Sequence, residues 1–210
     1  MPFGITGVAE PAFEILISSK LYEIRRCSQR YAIETTYNNN DTSQAFRALA
    51  GYIGVGSTPK NSGEASIAMT APVVTSDRKS GTSIAMTAPV ITAANSNANK
   101  VMQFILPSEY DSMSKIPKPT NPNVTIKELP SEVGAIHRFS GWVDESKSLE
   151  KVTLLMNALN NEHDLKLDKD GVLKNYSLWQ FNPPFTIPFL RRNEVWIPLS
   201  NDQVEKMSQK

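Results

Sequence analysis

Residues 31–54 read YAIETTYNNNDTSQAFRALAGYIG. The first seven residues are rich in β-branched and aromatic side chains and predict a strand, and the asparagines that follow predict a loop. Asp41 and Gln44 have the spacing of a helix capping box, and Gly54 is a typical helix end. Between them, apolar residues recur with helical spacing at Phe46, Leu49 and Ile53. This stretch therefore predicts a strand, a loop and a short amphipathic helix.

The same order recurs later in the chain. Val133–Phe139 predicts a strand, and Asp144 begins a second helix whose apolar residues follow a 3.6-residue period. These apolar positions are Leu149, Val152, Leu155, Met156 and Leu159. Short strand patterns flank both units, at residues 14–17, 21–25, 101–106, 124–129, 179–181 and 195–197. We therefore predict an α+β fold of two pseudo-symmetric halves, in which each half packs one helix on a mostly antiparallel sheet.

Length and composition are those of one ordinary globular domain, or at most two small ones. The chain has 210 residues, 40% of them hydrophobic and 20% charged, and a net charge of +1. We place one domain at residues 8–199, with halves of roughly 8–106 and 107–199, and a C-terminal tail at 200–210. The near-zero net charge argues against nucleic acid as a partner. No apolar run is long enough to span a membrane.

Cysteine and histidine usage limits the metal and redox chemistry of the chain. Cys27 is the single cysteine, which excludes an internal disulfide and a multi-cysteine zinc site. His137 and His163 are the two histidines, too few for a histidine-rich metal cage. The N-terminus has no basic segment followed by a long apolar one, so we expect no secretory signal. The expected location is the cytoplasm.

A segment in the first half is duplicated. Ser66–Val73 reads SIAMTAPV, and Ser83–Val90 repeats the same eight residues. Two copies are too few for a repeat array, and their spacing is too short for a solenoid. We expect one copy to supply a sheet strand and the other to be an extension. Because hairpin pairing is usually local, we favour the second copy, which lies closer to the strand at Val101–Leu106.

The chain contains no recognisable catalytic motif. Nucleophile-elbow, zinc-protease and phosphate-loop patterns are all missing from the sequence. The glycine-rich residues 51–56 end a helix and do not open one, so they do not form a phosphate loop. Nothing near Cys27 supports a thiol–histidine dyad. We therefore predict a protein that is not an enzyme.

Several motifs, taken in order, resemble those of the SOUL heme-binding proteins. The resemblance covers roughly residues 8–199, and the ordered set is more specific than any single motif. The motifs are Tyr22-Glu23-Ile24-Arg25-Arg26, Ala45-Phe46-Arg47 with Gly51-Tyr52-Ile53, the two Ile-Ala-Met-Thr-Ala-Pro-Val segments, Pro107-Ser108-Glu109, Asn182-Pro183-Pro184 and Arg191-Arg192-Asn193-Glu194-Val195-Trp196.

The resemblance implies a fold and a ligand. It implies one distorted, barrel-like antiparallel sheet with a helix from each half, and a non-catalytic carrier or buffer of heme or a related tetrapyrrole. It also implies an apolar groove beside the first helix, where Arg47 faces the propionates. The residues that this assigns to the ligand are Arg47, Phe46, Leu49, Gly51, Tyr52, Met69 and Met86. For both methionines the alternation with isoleucine favours a place in the core.

The sequence departs from the family pattern where the family places cations and an iron ligand. One branch of the family has a histidine at the position of Arg26, so that ligand is missing here. Gly51 stands nearest to a lysine of the other branch, and residues 185–190 lack that branch's second lysine. We therefore predict weak or non-coordinating heme binding with no assigned metal ligand, or binding of another apolar ligand. His137 is the remaining axial candidate, although a hydrogen-bonded histidine is commoner.

Two other classes of function stay open at this point. The protein could be an interaction module that uses the pocket or the second helix, although no protein partner is indicated. It could also be a small-molecule hydrolase of related fold, if Glu194 or Glu128 faces the groove. For Arg25–Arg26 and Arg191–Arg192, neighbouring glutamates favour structural ion pairs.

Overall fold

The computed structural model describes residues 9–38, 41–76, 100–182 and 186–208. The described chain contains nine strands and four α-helices. The strands are β1 (Phe13–Ser18), β2 (Glu23–Cys27), β3 (Arg30–Tyr37), β4 (Val73–Ser76), β5 (Lys100–Ile105), β6 (Thr125–Leu129), β7 (Glu132–Phe139), β8 (Ser177–Gln180) and β9 (Asn193–Leu199). The helices are α1 (Thr42–Ile53), α2 (Glu145–His163), α3 (Lys169–Asn175) and α4 (Asn201–Ser208). The predicted α+β class is confirmed.

All nine strands form one antiparallel sheet whose order exposes the internal symmetry. The order is β1-β2-β7-β9-β8-β4-β5-β3-β6. Leaving aside β1, the four strands β6-β3-β5-β4 are matched by β2-β7-β9-β8 on the other side of the β4–β8 contact. In each group one strand comes from the other half of the sequence. β6, from the second half, pairs with β3 of the first half, and β2, from the first half, pairs with β7 of the second half. The two halves are therefore interleaved in the sheet.

Each long helix covers its own half of the sheet. α1 closes a core that we name the α1 core, which contains Ile33, Leu49, Tyr52, Met102 and Phe104 among its buried residues. α2 closes the α2 core, and most of its predicted stripe packs there: Val152, Leu155, Met156 and Leu159 are buried, whereas Leu149 is 37% exposed. Because this stripe is packed on the sheet, it is not available as a partner-binding helix face.

A third cluster, the central core, lies on the other face of the sheet. It includes Cys27, Ala32, Ile136, Trp179 and Trp196. The two indole rings stack with their centroids 5.1 Å apart and an interplanar angle of 10°. Gly134 of β7 lies against Trp196, because a Cβ added to this glycine would be 2.4 Å from the indole ring. The central core joins the two halves.

The helix ends only partly match the sequence prediction. Asp144 is the N-cap of α2, and its carboxylate accepts a hydrogen bond of 2.7 Å from the Lys147 amide, as predicted. Asp41 is also an N-cap, but its side chain makes no capping hydrogen bond, so the predicted capping box is wrong. Gly54 ends α1 in the left-handed conformation, with φ of 88°.

Asn201–Ser208, which we expected to belong to a tail, form α4. Val204 and Met207 on this helix are buried in the α2 core, 8% and 4% exposed. The sequence signal was weak because α4 is only eight residues long and the rest of its surface is polar. The C-terminal residues up to Ser208 are therefore part of the packed domain.

Within the described ranges, no helix has the length and apolar character that crossing a bilayer requires.

The strand beside β5 follows the first copy of the duplicated segment, contrary to our expectation. β4 begins at Val73, the last residue of the first copy, and lies between β5 and β8. The rest of that copy forms no strand; Ile67 is buried in the α1 core and its amide donates to the Ile53 carbonyl. The second copy, Ser83–Val90, lies outside the described residues.

Removing one repeat unit tests whether a single copy suffices. Deletion of residues 66–82 and deletion of residues 74–90 produce the same polypeptide, because the eight-residue copies are identical. In that product β4 would read Val-Ile-Thr-Ala, a conservative change from its present sequence. We expect a folded protein whose free energy of unfolding stays within about 1.5 kcal/mol of the parent, measured by urea denaturation. A non-cooperative transition would show that both copies are required.

Candidate functional site

The buried face of α1 supports the sheet and does not line an open groove. Leu49 and Tyr52, which we expected in the groove wall, are both fully buried in the α1 core. The Tyr52 hydroxyl donates a hydrogen bond of 2.6 Å to the Pro117 carbonyl, and burial raises its pKa to about 12. Tyr52 thus stays protonated and fixes the loop below the helix. These two side chains pack inward because the apolar stripe of α1 is needed to cover its half of the sheet.

The outer part of α1 carries the other predicted residues. Arg47 is exposed, whereas Phe46 is half-buried, with its ring edge-to-face on Phe104 at a centroid distance of 5.3 Å. Met69, in the loop that follows α1, is 37% exposed. Phe46 thus presents some apolar surface on the same helix as the exposed Arg47 guanidinium. The exposure of Met69 differs from the place in the core that the sequence favoured. Met86 lies outside the described residues.

A lysine that the sequence prediction missed lies against α1. The Lys60 amide donates a hydrogen bond of 2.8 Å to the Gly51 carbonyl, and a Cβ added to Gly51 would be 3.5 Å from Lys60 Cδ. The aliphatic part of Lys60 therefore covers the glycine while the side chain remains partly exposed. Positions 47 and 51 are one helical turn apart on the same face, so Arg47 and Lys60 are neighbours on this surface.

The loop after α1 packs tightly against the C-terminal end of that helix. A Cβ added to Gly54 would be only 2.6 Å from Pro59 Cγ, so the loop after α1 folds back directly onto the helix terminus. Glycine and proline at these positions predict a turn, but they do not specify which side chain the turn places on the helix.

Neither Arg47 nor Lys60 has an ion-pair partner within the described part of the chain. Both cations are thus available to an anionic ligand.

The two histidines lie with the second helix. His137 is 8% exposed; its Nδ1 is 2.8 Å from the Leu21 carbonyl oxygen, and its ring stacks on Phe139. His163, at the end of α2, has its Nε2 2.6 Å from the Tyr22 hydroxyl oxygen. Among the residues described, no group of three or more His, Cys, Asp or Glu side chains is arranged to hold a metal ion.

The glutamates proposed for hydrolysis do not face a groove. Glu194 is fully buried, with its two carboxylate oxygens 3.0 Å from Arg25 Nη1 and 2.9 Å from Arg192 Nε. Those arginines continue to Glu23 and Glu10, so five charges form one chain across the sheet. This confirms the prediction of structural ion pairs. Glu128 is exposed on β6 and accepts a hydrogen bond from Gln29.

The described ends of the loop between β8 and β9 are tied to β9 and to the segment that follows β7. Asn182 accepts a hydrogen bond of 2.7 Å from the Arg192 amide through Oδ1, which ties the loop entry to β9. Pro183, Pro184 and Phe185 lie outside the described residues. Further along, the Gly141 amide donates to the Pro188 carbonyl.

Comparison with known proteins identifies a family and a fold. The sequence model of a family described as SOUL heme-binding protein matches residues 8–83 and 76–198. Among curated proteins, none matches significantly. The fold is similar to that of the EcmrR C-terminal domain, with a TM-score of 0.52 and 11% identity, covering 85% of this chain and 96% of that domain. It is also similar to a hydrolase from Listeria innocua, with a TM-score of 0.51 and 13% identity, covering 86% and 92%.

Proposed function

Because the chain belongs to the SOUL heme-binding protein family, we propose that it binds heme or a related tetrapyrrole on the outer face of α1, as a non-catalytic carrier or buffer. Family membership supports the ligand class. The free, buried Cys27, whose thiol pKa is raised by burial, is consistent with the reducing environment of the cytoplasm, where we propose that the protein acts.

The pair of unpartnered cations is the observation that supports this placement most directly. A heme carries two propionates on one edge of a flat apolar macrocycle. Arg47 and Lys60 offer two exposed cations, and the half-buried Phe46 of the same helix offers apolar contact. The exposed Met69 follows in the loop after α1. A guanidinium binds a carboxylate through two parallel hydrogen bonds, and an ammonium adds a second point charge. The heme edge would thus be held by charge and its face by apolar contact.

Removing either cation should weaken the complex. We expect Arg47→Ala and Lys60→Gln each to raise the Kd for heme about 10-fold, because each removes one charge-assisted hydrogen bond to a propionate. The measurement is a titration with hemin followed by the Soret absorbance. Added salt should weaken binding by the parent much more than binding by the double variant.

Two controls distinguish binding at this site from nonspecific binding of heme to the protein surface. Arg138→Ala removes an exposed arginine on β7, in the other half of the sheet, and should leave the Kd unchanged. A porphyrin with esterified propionates should bind the parent and both variants equally. If Arg47→Ala and Lys60→Gln bind hemin as tightly as the parent, the ligand is held elsewhere and the proposed surface is wrong.

The iron of the bound heme should lack a strong protein ligand. Both histidines of the chain pack against the second half of the sheet, while the proposed surface belongs to α1. We therefore expect a high-spin or weakly ligated ferric spectrum. A low-spin spectrum that is lost in His137→Ala would contradict this expectation and move the site to β7.

A further inference from the structure

A cavity that takes no residue from α1 opens where four segments of the chain meet. Its volume is about 370 Å³, and it lies between residues 9–12, the turn at 28–31, Thr70 and the loop at 105–111. This volume falls at the lower end of the range found for small-molecule sites. The cavity therefore has room for a compact ligand.

Arg30 is the one cationic residue among those that line the described cavity. Its side chain is only 9% exposed, and its Nη2 donates a hydrogen bond of 2.6 Å to Glu132. Its Nη1 makes a longer contact of 3.3 Å to the Ser28 carbonyl, and its Nε is buried with no hydrogen-bond partner in the described structure. A guanidinium has five N–H donors, so Arg30 has more donors than acceptors around it. Such a group is stabilised by an additional anionic acceptor.

The remaining lining combines apolar walls with acidic groups whose charge is balanced. Tyr31, Ile105, Leu106 and Pro107 contribute apolar surface, and burial raises the pKa of Tyr110, so that it stays neutral. Glu10 is paired with Arg192 at 2.8 Å, and Asp111 with Lys115 at 2.8 Å. With these carboxylates paired, an entering anion meets the Arg30 guanidinium beside an apolar wall.

We propose that this cavity binds a small carboxylate with an aromatic or similarly flat apolar body. The carboxylate would take the spare donors of Arg30, and the body would pack on the tyrosine and proline side chains. The lining residues include none of Arg47, Lys60, Phe46 and Met69, so the two proposed sites share no residue.

Benzoate and its neutral isostere benzamide provide the test, measured on the full chain by calorimetry and ligand-observed NMR. We expect saturable benzoate binding, with benzamide at least 10-fold weaker. Arg30→Gln should remove the preference for benzoate. Equal binding of the two probes, or no benzoate binding at millimolar concentration, would overturn the proposal.

A second variant keeps the test valid if Arg30→Gln does not fold, since that change removes the ion pair between Arg30 and Glu132. Ala12→Trp places a large side chain at an exposed position of the cavity lining and leaves the Arg30–Glu132 pair intact. It should abolish benzoate binding and keep the hemin titration of the parent. Ser146→Trp, at an exposed position of α2, is the matched control and should bind benzoate normally. Unchanged benzoate affinity in a folded Ala12→Trp protein would place the carboxylate elsewhere and overturn the proposal.

Discussion

Gly134→Ala should lower the free energy of unfolding by about 3 kcal/mol, because the added methyl group has no room against Trp196. The new Cβ would be 2.4 Å from the indole ring and 2.7 Å from the Ile197 carbonyl oxygen. Trp196 cannot move away cheaply, since it is 2% exposed and stacked on Trp179. For a domain of this size the melting temperature should fall by about 6–12 °C.

Gly51→Ala is the matched control for this glycine substitution. Its new Cβ would meet the flexible Lys60 side chain at an ordinary contact distance of 3.5 Å, and position 51 is inside a helix. Alanine is favoured over glycine there by up to about 1 kcal/mol, so the control should be as stable as the parent or more so. Equal stability of Gly134→Ala and the parent would show that the contact between β7 and Trp196 is loose.

Glu194→Ala should destabilise the protein by about 3–5 kcal/mol, because it leaves two arginines without their shared carboxylate. Glu194 is fully buried, and the side chain of Arg25 is 6% exposed, so water cannot replace the lost partner fully. The measurement is urea denaturation at neutral pH, with circular dichroism as the readout. Glu194→Gln should lie between the parent and the alanine variant, since the amide retains one acceptor.

An exposed ion pair provides the comparison for this buried one. Arg26 and Glu14 are 3.1 Å apart, but their side chains are 45% and 64% exposed. Glu14→Ala should therefore cost at most about 1 kcal/mol, and added salt should reduce that cost further. If the Glu194 and Glu14 variants lose similar stability, the five-charge chain is not a structural element of the sheet.

The strands and the two long helices were predictable because their signals are local. The β-branched run before α1 and the apolar period of α2 act within a single element, and both are found in the structure. The short helix α4 was not predicted, because its place depends on two apolar residues contacting a distant core. The prediction that the second repeated segment supplies the strand beside β5 was also wrong. Two identical segments carry no local information on which of them pairs with β5.

Only the part of the candidate site that lies on α1 was predictable from the sequence. Arg47 and Phe46 lie at the outer part of α1, while Leu49 and Tyr52 belong to the same period but are buried. A helical wheel does not show which edge of the apolar stripe reaches solvent. Lys60 joins the site through a loop that folds back on Gly51, and such a contact between separate segments is set by tertiary packing.

The interleaving of β2 and β6 between the halves has a consequence for how the chain can be divided. A fragment ending at residue 106 would contain β3 without its partner β6, and a fragment beginning at 107 would contain β7 without its partner β2. Each fragment would expose an unpaired strand edge, which promotes association. Produced separately, the two pieces should be unfolded or aggregated, whereas produced together they should recover one complete sheet. The two pseudo-symmetric halves of the sheet therefore depend on each other for folding.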